Sequence, residues 1–138
     1  MSVKYFVDTN ILFYAHDRQA GPKHDRAKRL LIELLDSDSG VLSTQVLQEL
    51  CVNLRRKDNL AADETRRLIQ DFLAWEIVVN TAESVLGGLE IESRHDISFW
   101  DALIIYATQT AGAEILYSED LNDGHMFGSV RIANPLRA

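Results

Sequence analysis

The chain has 138 residues, of which 46% are hydrophobic and 25% are charged, and this composition indicates one folded domain over residues 1–138. It gives no sign of disorder, and the longest apolar run, residues 99–107, is too short to span a bilayer. The formal net charge of −7 is unfavourable for binding phosphates, so nucleic-acid chemistry would need local basic clusters or bound cations.

The first residues and the cysteine content indicate the cellular compartment. Met1, Ser2, Val3 and Lys4 lead directly into a short apolar segment, without the long apolar stretch and the cleavage site of a signal peptide. Cys51 is the single cysteine, so no internal disulfide can form, which fits a reducing compartment. The sequence therefore predicts a cytoplasmic protein that is not attached to a membrane.

Short apolar runs alternate with longer helical patterns along the whole chain. In chain order, the pattern predicts a strand at residues 5–7, a helix at 10–17, a helix from Pro22 to about residue 35, a strand at 41–42, a helix from Ser43 or Thr44 to residue 54, a helix from about 63 to 73, a strand at 77–79, a helix from Thr81 to about 94, a helix from Ser98 to near Gly112, and strands at 115–117 and 130–132.

This alternation is typical of βα units, which form a parallel sheet covered by helices on both faces. Both tryptophans, Trp75 and Trp100, and the cysteine are expected in the hydrophobic core. Ligands of such sheets bind beyond the carboxyl ends of the strands, where the strand order reverses. Functional side chains are therefore expected directly after the strands.

Two aspartates stand in apolar surroundings. Asp8 directly follows the first strand and is the only formal charge between Lys4 and Asp17, and in isolation it is best explained as a helix cap. Asp101 is the only charged residue of the predicted helix that follows Ser98, whose apolar character on nearly all sides indicates burial. A capping box could explain this aspartate, but the longer Glu or Gln is usual there. Because a buried carboxylate needs a partner, we favour metal or catalytic use.

Three further acids look ordinary in isolation. Asp120 follows the strand at 115–117, and Asp123 lies in the polar stretch just beyond it, which is typical of a loop. Glu49 lies away from the apolar face of its predicted helix, so a solvated surface position is the simplest interpretation.

Taken together, the carboxylates form a stronger pattern, because most of them lie at strand ends or helix starts. Hard oxygen ligands suit Mg²⁺ or Mn²⁺. Two such ions can activate a water and stabilise the leaving oxygen in phosphodiester cleavage. This chemistry needs no His, Cys or Ser nucleophile, and the sequence places none suitably.

Four segments resemble, in order and in spacing, the acidic motifs of the PIN-domain family, and together they span essentially the whole chain. These are Phe6-Val7-Asp8-Thr9-Asn10-Ile11-Leu12, Ser43-Thr44-Gln45-Val46-Leu47-Gln48-Glu49-Leu50, Ser98-Phe99-Trp100-Asp101-Ala102-Leu103-Ile104 and Leu116-Tyr117-Ser118-Glu119-Asp120-Leu121-Asn122-Asp123-Gly124.

The resemblance implies an α/β fold, a three-layer α/β/α sandwich with a central mainly parallel sheet. It implies a catalytic, metal-binding set of four acids, which are Asp8, Glu49, Asp101 and Asp120. It further implies that Asp123 is an outer contributor to metal binding, and that Asn10 and Ser118 orient the acids. A PIN domain of this length resembles VapC-type toxins of bacterial toxin–antitoxin pairs. In that family the toxin cuts RNA, often as a homodimer, and a small antitoxin blocks the site.

The basic residues are concentrated in the first half of the chain, where all four lysines lie. On the family interpretation, a cluster near the Glu49 helix could hold RNA phosphates, although a solvated helix surface explains it equally well. The cluster consists of Arg55, Arg56, Lys57, Arg66 and Arg67.

Two other functions are compatible with aspartates at strand ends. A response-regulator receiver or a haloacid-dehalogenase-type phosphatase would need a lysine late in the chain, but none follows Lys57. Such a domain would also need a second acid near the first strand, where Asn10 stands instead. A non-catalytic binding module on the PIN fold is the closer alternative, because fold does not determine function.

Overall fold

The computed structural model describes residues 3–137, so Met1 and Ser2, which entered the leader prediction, and Ala138 lie outside it. Strands and helices alternate as expected. In chain order they are β1 (Tyr5–Val7), α1 (Thr9–Tyr14), a 3₁₀ helix (Arg18–Ala20), α2 (Pro22–Ser37), β2 (Gly40–Ser43), α3 (Thr44–Lys57), α4 (Ala62–Phe72), β3 (Glu76–Val78), α5 (Ala82–His95), α6 (Phe99–Thr110), β4 (Ile115–Tyr117), β5 (Met126–Phe127) and β6 (Val130–Ala133).

The strands form one six-stranded sheet in the order β3-β2-β1-β4-β6-β5. Every pairing is parallel except that of β5 with β6. Phe6 of β1 lies between Val41 of β2 and Leu116 of β4 in register. The chain thus builds outward from β1 in one direction and then in the other, so the strand order reverses between β1 and β4. Ligand sites of such sheets lie at this point.

Helices cover both faces of the sheet, which confirms the predicted three-layer α/β/α sandwich. Helix α1 contacts α2 and α3, α3 contacts α4, and α5 packs along α6. The strands are short apolar runs because both of their faces are buried. Phe6, Leu42, Leu116 and Ile132 are completely inaccessible to solvent. Within residues 3–137, no helix combines the length and the apolar character needed to cross a membrane.

The sequence places the end of one helix wrongly and does not reveal one strand. The first helix ends at Tyr14 rather than at Asp17, because the Asp17 carboxylate accepts a hydrogen bond from the Gln19 backbone N–H at 3.1 Å and starts a separate 3₁₀ turn. Strand β5 was not predicted, since two residues are too few to show an alternating pattern. It pairs with β6 at the sheet edge, away from the strand-order reversal.

Gly87 allows α5 to approach α6 closely. A Cβ atom at this position would lie 2.1 Å from Cε1 of the Tyr106 ring, whereas one at Gly88 would lie 3.0 Å from the end of the Leu103 side chain. We expect Gly87→Ala to lower the free energy of unfolding by about 1–3 kcal/mol through overpacking. Gly88→Ala should cost much less, because its contacts with Leu103 and with the Phe99 ring at 3.2 Å require shifts of only a few tenths of an ångström. The gain of about 1 kcal/mol in helix propensity is common to both variants.

Urea unfolding midpoints of the two variants and of the unmodified protein measure this difference. Equal stability of the two variants would show that the close approach at Gly87 does not limit the packing of α5 on α6.

Candidate active site

A cleft of about 390 Å³ opens where the strand order reverses. Among the described residues 3–137, four carboxylates line it, and no lysine, arginine or histidine does. The lining residues are the acids Asp8, Glu49, Asp101 and Asp120, the polar residues Thr9, Asn10, Gln45, Gln48 and Asn53, and the apolar residues Val52, Trp100 and Ile104.

Each acid reaches the cleft from a different element. Asp8 directly follows β1, and Asp120 lies in the loop after β4, which is the neighbour of β1 in the sheet. Glu49 lies on α3, and Asp101 lies in the first turn of α6. Carboxylates that are separated by up to 112 positions in the sequence therefore face one cleft.

Asp8 is the most buried of the four acids, with 7% of its surface exposed. Its Oδ1 accepts a hydrogen bond from the Thr9 backbone N–H at 2.7 Å and caps α1, while its Oδ2 accepts one from the Ser118 hydroxyl at 2.9 Å. Burial raises its pKa from the ordinary 3.8 to about 7; the two hydrogen bonds oppose this rise, and the charges of Asp120 and Glu49 add to it. The Asp8 carboxylate therefore both caps α1 and lines the cleft.

Glu49 is not the solvated surface residue that its helical pattern indicated. It is half-buried, and its Oε1 accepts a hydrogen bond of 2.6 Å from the Thr9 hydroxyl on α1. The Gln45 side-chain amide lies one turn earlier on α3, and its Nε2 is 3.5 Å from Glu49 Oε2. The contact between α1 and α3 thus holds this carboxylate beside Asp8.

Asp120 is held by two neighbours. Its Oδ2 accepts a hydrogen bond of 2.7 Å from the Asn10 amide, and its backbone N–H donates to the Ser118 hydroxyl at 3.2 Å. Burial raises the pKa of Asp120, and the negative charge of Asp101 raises it further. Asn10 and Ser118, which the family resemblance singled out, therefore bond to Asp120 and Asp8, while their functional roles stay predictions.

Asp101 has only half of the capping box that could have explained it. The Ser98 hydroxyl accepts a hydrogen bond from the Asp101 backbone N–H at 3.1 Å. Among residues 3–137, the Asp101 carboxylate neither accepts a hydrogen bond nor forms an ion pair. The cap does not use the carboxylate, which is left free on the cleft lining.

The four acids line the cleft without converging on one point. Within the described part of the chain, no three His, Cys, Asp or Glu side chains form a ready-made metal cage. Three of the carboxylates accept hydrogen bonds from different partners, which are Thr9, Asn10 and Ser118. Mutual repulsion favours this separation, because like charges in one site disfavour each other's ionised form.

The second aspartate of the fourth motif lies elsewhere. Asp123 does not line the cleft; its Oδ1 accepts a hydrogen bond from the Asn134 backbone N–H at 3.0 Å, and its Oδ2 lies 3.5 Å from the Arg137 guanidinium. It fastens the loop after β4 to the segment that follows β6. Its predicted contribution to metal binding stays a prediction.

The predicted basic cluster is exposed on two neighbouring helices, at the end of α3 and in the middle of α4. Arg55, Arg56 and Lys57 form the last turn of α3, about two turns beyond Glu49. Arg66 lines a groove between α3 and α4 together with Arg55 and with the half-buried Cys51, which was expected in the core. Arg67 is exposed on the same helix as Arg66. None of these cations forms an ion pair with another described residue.

Sequence reasoning missed a clamp directly beside Asp120. The Tyr14 hydroxyl donates a hydrogen bond of 2.7 Å to Glu119, whose other oxygen pairs with the Lys23 ammonium. Burial would raise the pKa of Glu119, but these two partners outweigh it and hold that pKa below its ordinary value. Only the position of Glu119 next to Asp120 could have hinted at this clamp, which ties the loop to α1 and α2.

Comparison with known proteins identifies the class that this fold and site define. The chain belongs to the PIN-domain family, whose model matches residues 5–122. No curated protein matches the sequence.

Within the PIN-domain family, the similar solved structures confirm the predicted likeness to VapC-type toxins. The chain is similar to VapC20 of Mycobacterium tuberculosis, described as a Sarcin-Ricin loop cleaving toxin: identity is 26%, the match covers 85% of this chain and 90% of that chain, and the TM-score is 0.67. It shares its fold with the DNA-bound VapBC of Salmonella typhimurium: identity is 15%, the match covers 97% of this chain and 99% of that chain, and the TM-score is 0.67. It also shares its fold with VapBC2 of Rickettsia felis bound to a promoter DNA fragment: identity is 19%, the match covers 96% of this chain and 98% of that chain, and the TM-score is 0.68.

Proposed function

We propose that this protein is a metal-dependent endoribonuclease that hydrolyses RNA phosphodiester bonds and acts as the toxin of a toxin–antitoxin pair. The observation that carries the proposal is a cleft at the strand-order reversal of a PIN domain, lined within the described part of the chain by four carboxylates and no cationic side chain. Such a concentration of negative charge is costly unless cations bind there. A divalent cation bound among these carboxylates would offset the repulsion between them.

The donor set matches the proposed ion. Carboxylate oxygens from Asp8, Glu49, Asp101 and Asp120 are the hard ligands that Mg²⁺ and Mn²⁺ prefer. The side-chain oxygen of Gln45 is buried in the same lining and accepts no hydrogen bond from residues 3–137, so it offers a further acceptor. When bound, such ions activate a water and stabilise the leaving oxygen of a phosphodiester.

The surrounding polar residues orient the carboxylates in this proposal. Thr9 holds Glu49, Asn10 holds Asp120, and Ser118 holds Asp8 by a hydrogen bond to one oxygen of each carboxylate. The second oxygen of Glu49 then has only the long 3.5 Å contact with the Gln45 amide, and that of Asp120 accepts no hydrogen bond from residues 3–137, so both would be available to a cation. Asp8 uses its second oxygen to cap α1. Asp8 would release its proton when a cation binds, because a nearby positive charge favours the ionised form.

The cluster of Arg55, Arg56, Lys57, Arg66 and Arg67 is the surface that we propose for RNA phosphates. Its cations are exposed and are not engaged in ion pairs with other residues from 3 to 137. Phosphate contacts of this kind supply affinity that does not depend on sequence. The basic end of α3 would offset the net charge of −7 at the place where RNA enters.

The similar structures support an antitoxin partner. Two of these are VapBC assemblies bound to DNA, from Salmonella typhimurium and Rickettsia felis. By analogy with these assemblies, we propose that a small antitoxin covers the cleft of this chain. From the family resemblance and the sequence, we further propose that the chain forms a homodimer and acts on RNA in the cytoplasm.

Cleavage of total cellular RNA by the purified, antitoxin-free protein tests the function. We expect discrete fragments with Mg²⁺ or Mn²⁺, none with EDTA, and none with Asp8→Asn. Asp17→Asn is the matched control, because Asp17 also caps a helix through its carboxylate but does not line the cleft. End-mapping of the fragments gives the target.

Two results would contradict the proposal. Fragments that persist in EDTA, or with Asp8→Asn, would show that the carboxylate cleft does not perform the cleavage. No cleavage under any condition by a folded and monodisperse sample would favour the non-catalytic binding module.

A further inference from the structure

Trp100 lies at the rim of the cleft, although the sequence predicts it in the core. It exposes 63% of its surface, is the only aromatic side chain among the large hydrophobic residues left exposed within residues 3–137, and directly precedes Asp101. A large aromatic side chain is usually buried, because removing its surface from water is favourable. Its exposure beside four carboxylates therefore indicates a ligand contact.

The position of Trp100 is fixed even though its ring is open to solvent. The Phe99 ring contacts it edge-on, with centroids 5.6 Å apart and an interplanar angle of 68°. The Gln45 side-chain amide donates a hydrogen bond of 3.2 Å to the Trp100 backbone carbonyl, and Gln45 is 5% exposed. A preorganised ring loses less conformational entropy when it binds a partner.

The neighbours of Trp100 continue an apolar wall toward a basic helix end. Val52, half of whose surface is exposed, and Ile104 line the same cleft as Trp100. Arg55 and Arg56 follow Val52 by three and four positions on α3, so they lie on the same side of that helix. One continuous surface thus offers carboxylates, an aromatic ring, aliphatic contacts and cations.

We propose that Trp100 stacks on a nucleobase of single-stranded RNA, next to the phosphodiester that lies at the carboxylates. This inference rests on the proposed function and names the form of its substrate. Bases present flat faces that stack on aromatic rings whatever their sequence, and each such contact contributes about 1–3 kcal/mol. A base paired within a duplex cannot offer its face to Trp100, so the substrate segment must be unpaired where it crosses the rim.

The test compares two strands that carry the same phosphates but differ in their bases. Fluorescence anisotropy measures the affinity for a short single-stranded adenine RNA and for an abasic ribose–phosphate strand of equal length. Ca²⁺ replaces Mg²⁺, and a gel confirms that each strand stays intact. We expect Trp100→Leu to weaken binding of the adenine strand by about 5- to 150-fold, the loss of one stacking contact. Binding of the abasic strand should stay unchanged, and Trp100→Phe should retain most of the affinity.

A second measurement detects the stacking directly. Trp100 and Trp75 are the two tryptophans of the chain, and Trp75 lies outside the cleft, against Gly40 and Phe72. A Trp75→Phe variant therefore reports on Trp100 alone. The adenine strand should quench its fluorescence, and the abasic strand should quench it much less.

Each other result overturns the inference in a distinguishable way. If Trp100→Leu binds both strands like the unmodified protein, the ring does not contact RNA, and a protein partner becomes the better occupant of the rim. If the variant loses affinity for both strands equally, Trp100 only shapes the cleft. If the unmodified protein neither binds nor cleaves RNA, the proposed function fails together with the inference, whereas cleavage with an unaffected Trp100→Leu variant rejects the inference alone.

Discussion

Asp101→Asn is expected to abolish RNA cleavage and, in the metal-free protein, to raise the melting temperature rather than lower it. An amide cannot replace a carboxylate that binds the ion, and even residues that only support metal ligands cost about 10- to 100-fold when they are changed. We therefore expect a loss of more than about 100-fold in the rate. A gain in stability together with a loss of activity is typical of an acid that is retained for function.

The stability gain follows from the charges in the cleft. The charge of Asp101 raises the pKa of Asp120, so the two carboxylates repel each other across the cleft. Charges about 4 Å apart would interact by about 4 kcal/mol at an effective dielectric of about 20, and the partial exposure of Asp101 reduces this. Loss of a carboxylate from the first turn of α6 costs about 0.3–1 kcal/mol through the helix dipole. The net expectation is a rise of about 1 kcal/mol, or a few degrees.

Glu64→Gln is the matched control. Glu64 occupies the third position of α4, as Asp101 occupies the third position of α6, but it is exposed and does not line the cleft. This change removes only the helix-dipole interaction, so the melting temperature should fall slightly and cleavage should continue. Differential scanning calorimetry in EDTA measures both variants. A marked fall with Asp101→Asn would mean that its carboxylate stabilises α6, and it would contradict the repulsive cluster.

The position of the site was accessible from sequence because it depends on topology rather than on side-chain detail. Apolar runs that alternate with helices predict parallel strands, and Asp8 and Asp120 each follow such a run. Adjacent parallel strands end at the same edge of a sheet, so these two acids must come close if β1 and β4 are neighbours. The sequence pattern alone does not give the strand order, and here the family resemblance supplied the missing step.

The contact of Glu49 with another helix could not be predicted from the pattern of its own helix. The helical wheel of α3 separates an apolar face from the rest, and it assigned Glu49 to solvent. The side chain instead meets the Thr9 hydroxyl of α1, a contact between residues 40 positions apart. A second polar partner on another helix leaves no mark in the periodicity of α3, so only the packing of the two helices reveals it.

The sequence predicts Trp100 in the core because α6 is apolar on nearly all sides. That pattern describes the middle of the helix correctly, since Leu103, Ile104 and Ile105 are buried. The first turn of α6 lies at the rim of the cleft, where Trp100 and Asp101 meet solvent rather than core. A helix that enters a site from the core changes its surroundings within one turn, and composition averaged over the helix cannot show this.

In the metal-free protein, stability is expected to fall as the pH rises, and Mg²⁺ is expected to reverse the trend. The Asp8 pKa is raised from 3.8 to about 7 in the folded state. Between these values the folded protein keeps a proton that the unfolded chain has lost, so the free energy of unfolding decreases as the pH rises through this range. This decrease in the free energy of unfolding can reach about 4 kcal/mol, and it is complete once the pH exceeds the Asp8 pKa of the folded state. Asp120, whose pKa is also raised, adds to it.

Mg²⁺ acts in the opposite direction because it binds the ionised carboxylates. Its stabilisation grows with the ratio of its concentration to its dissociation constant, and protons compete with it at low pH. The increase in melting temperature on adding Mg²⁺ should therefore be small near pH 5 and large near pH 8, with proton release on binding. Calorimetric titrations in buffers of different ionisation enthalpy measure that release.

Asp8→Asn separates this mechanism from general effects of pH and salt. The variant should lose most of the pH slope, be more stable than the unmodified protein at about pH 8 without metal, and respond weakly to Mg²⁺. Asp17→Asn, the other helix cap, should keep both the slope and the metal response, because Asp17 does not line the cleft. If Mg²⁺ stabilised Asp8→Asn as strongly as the unmodified protein, the ion would bind elsewhere, and the carboxylate cleft would lose its assignment as the metal site.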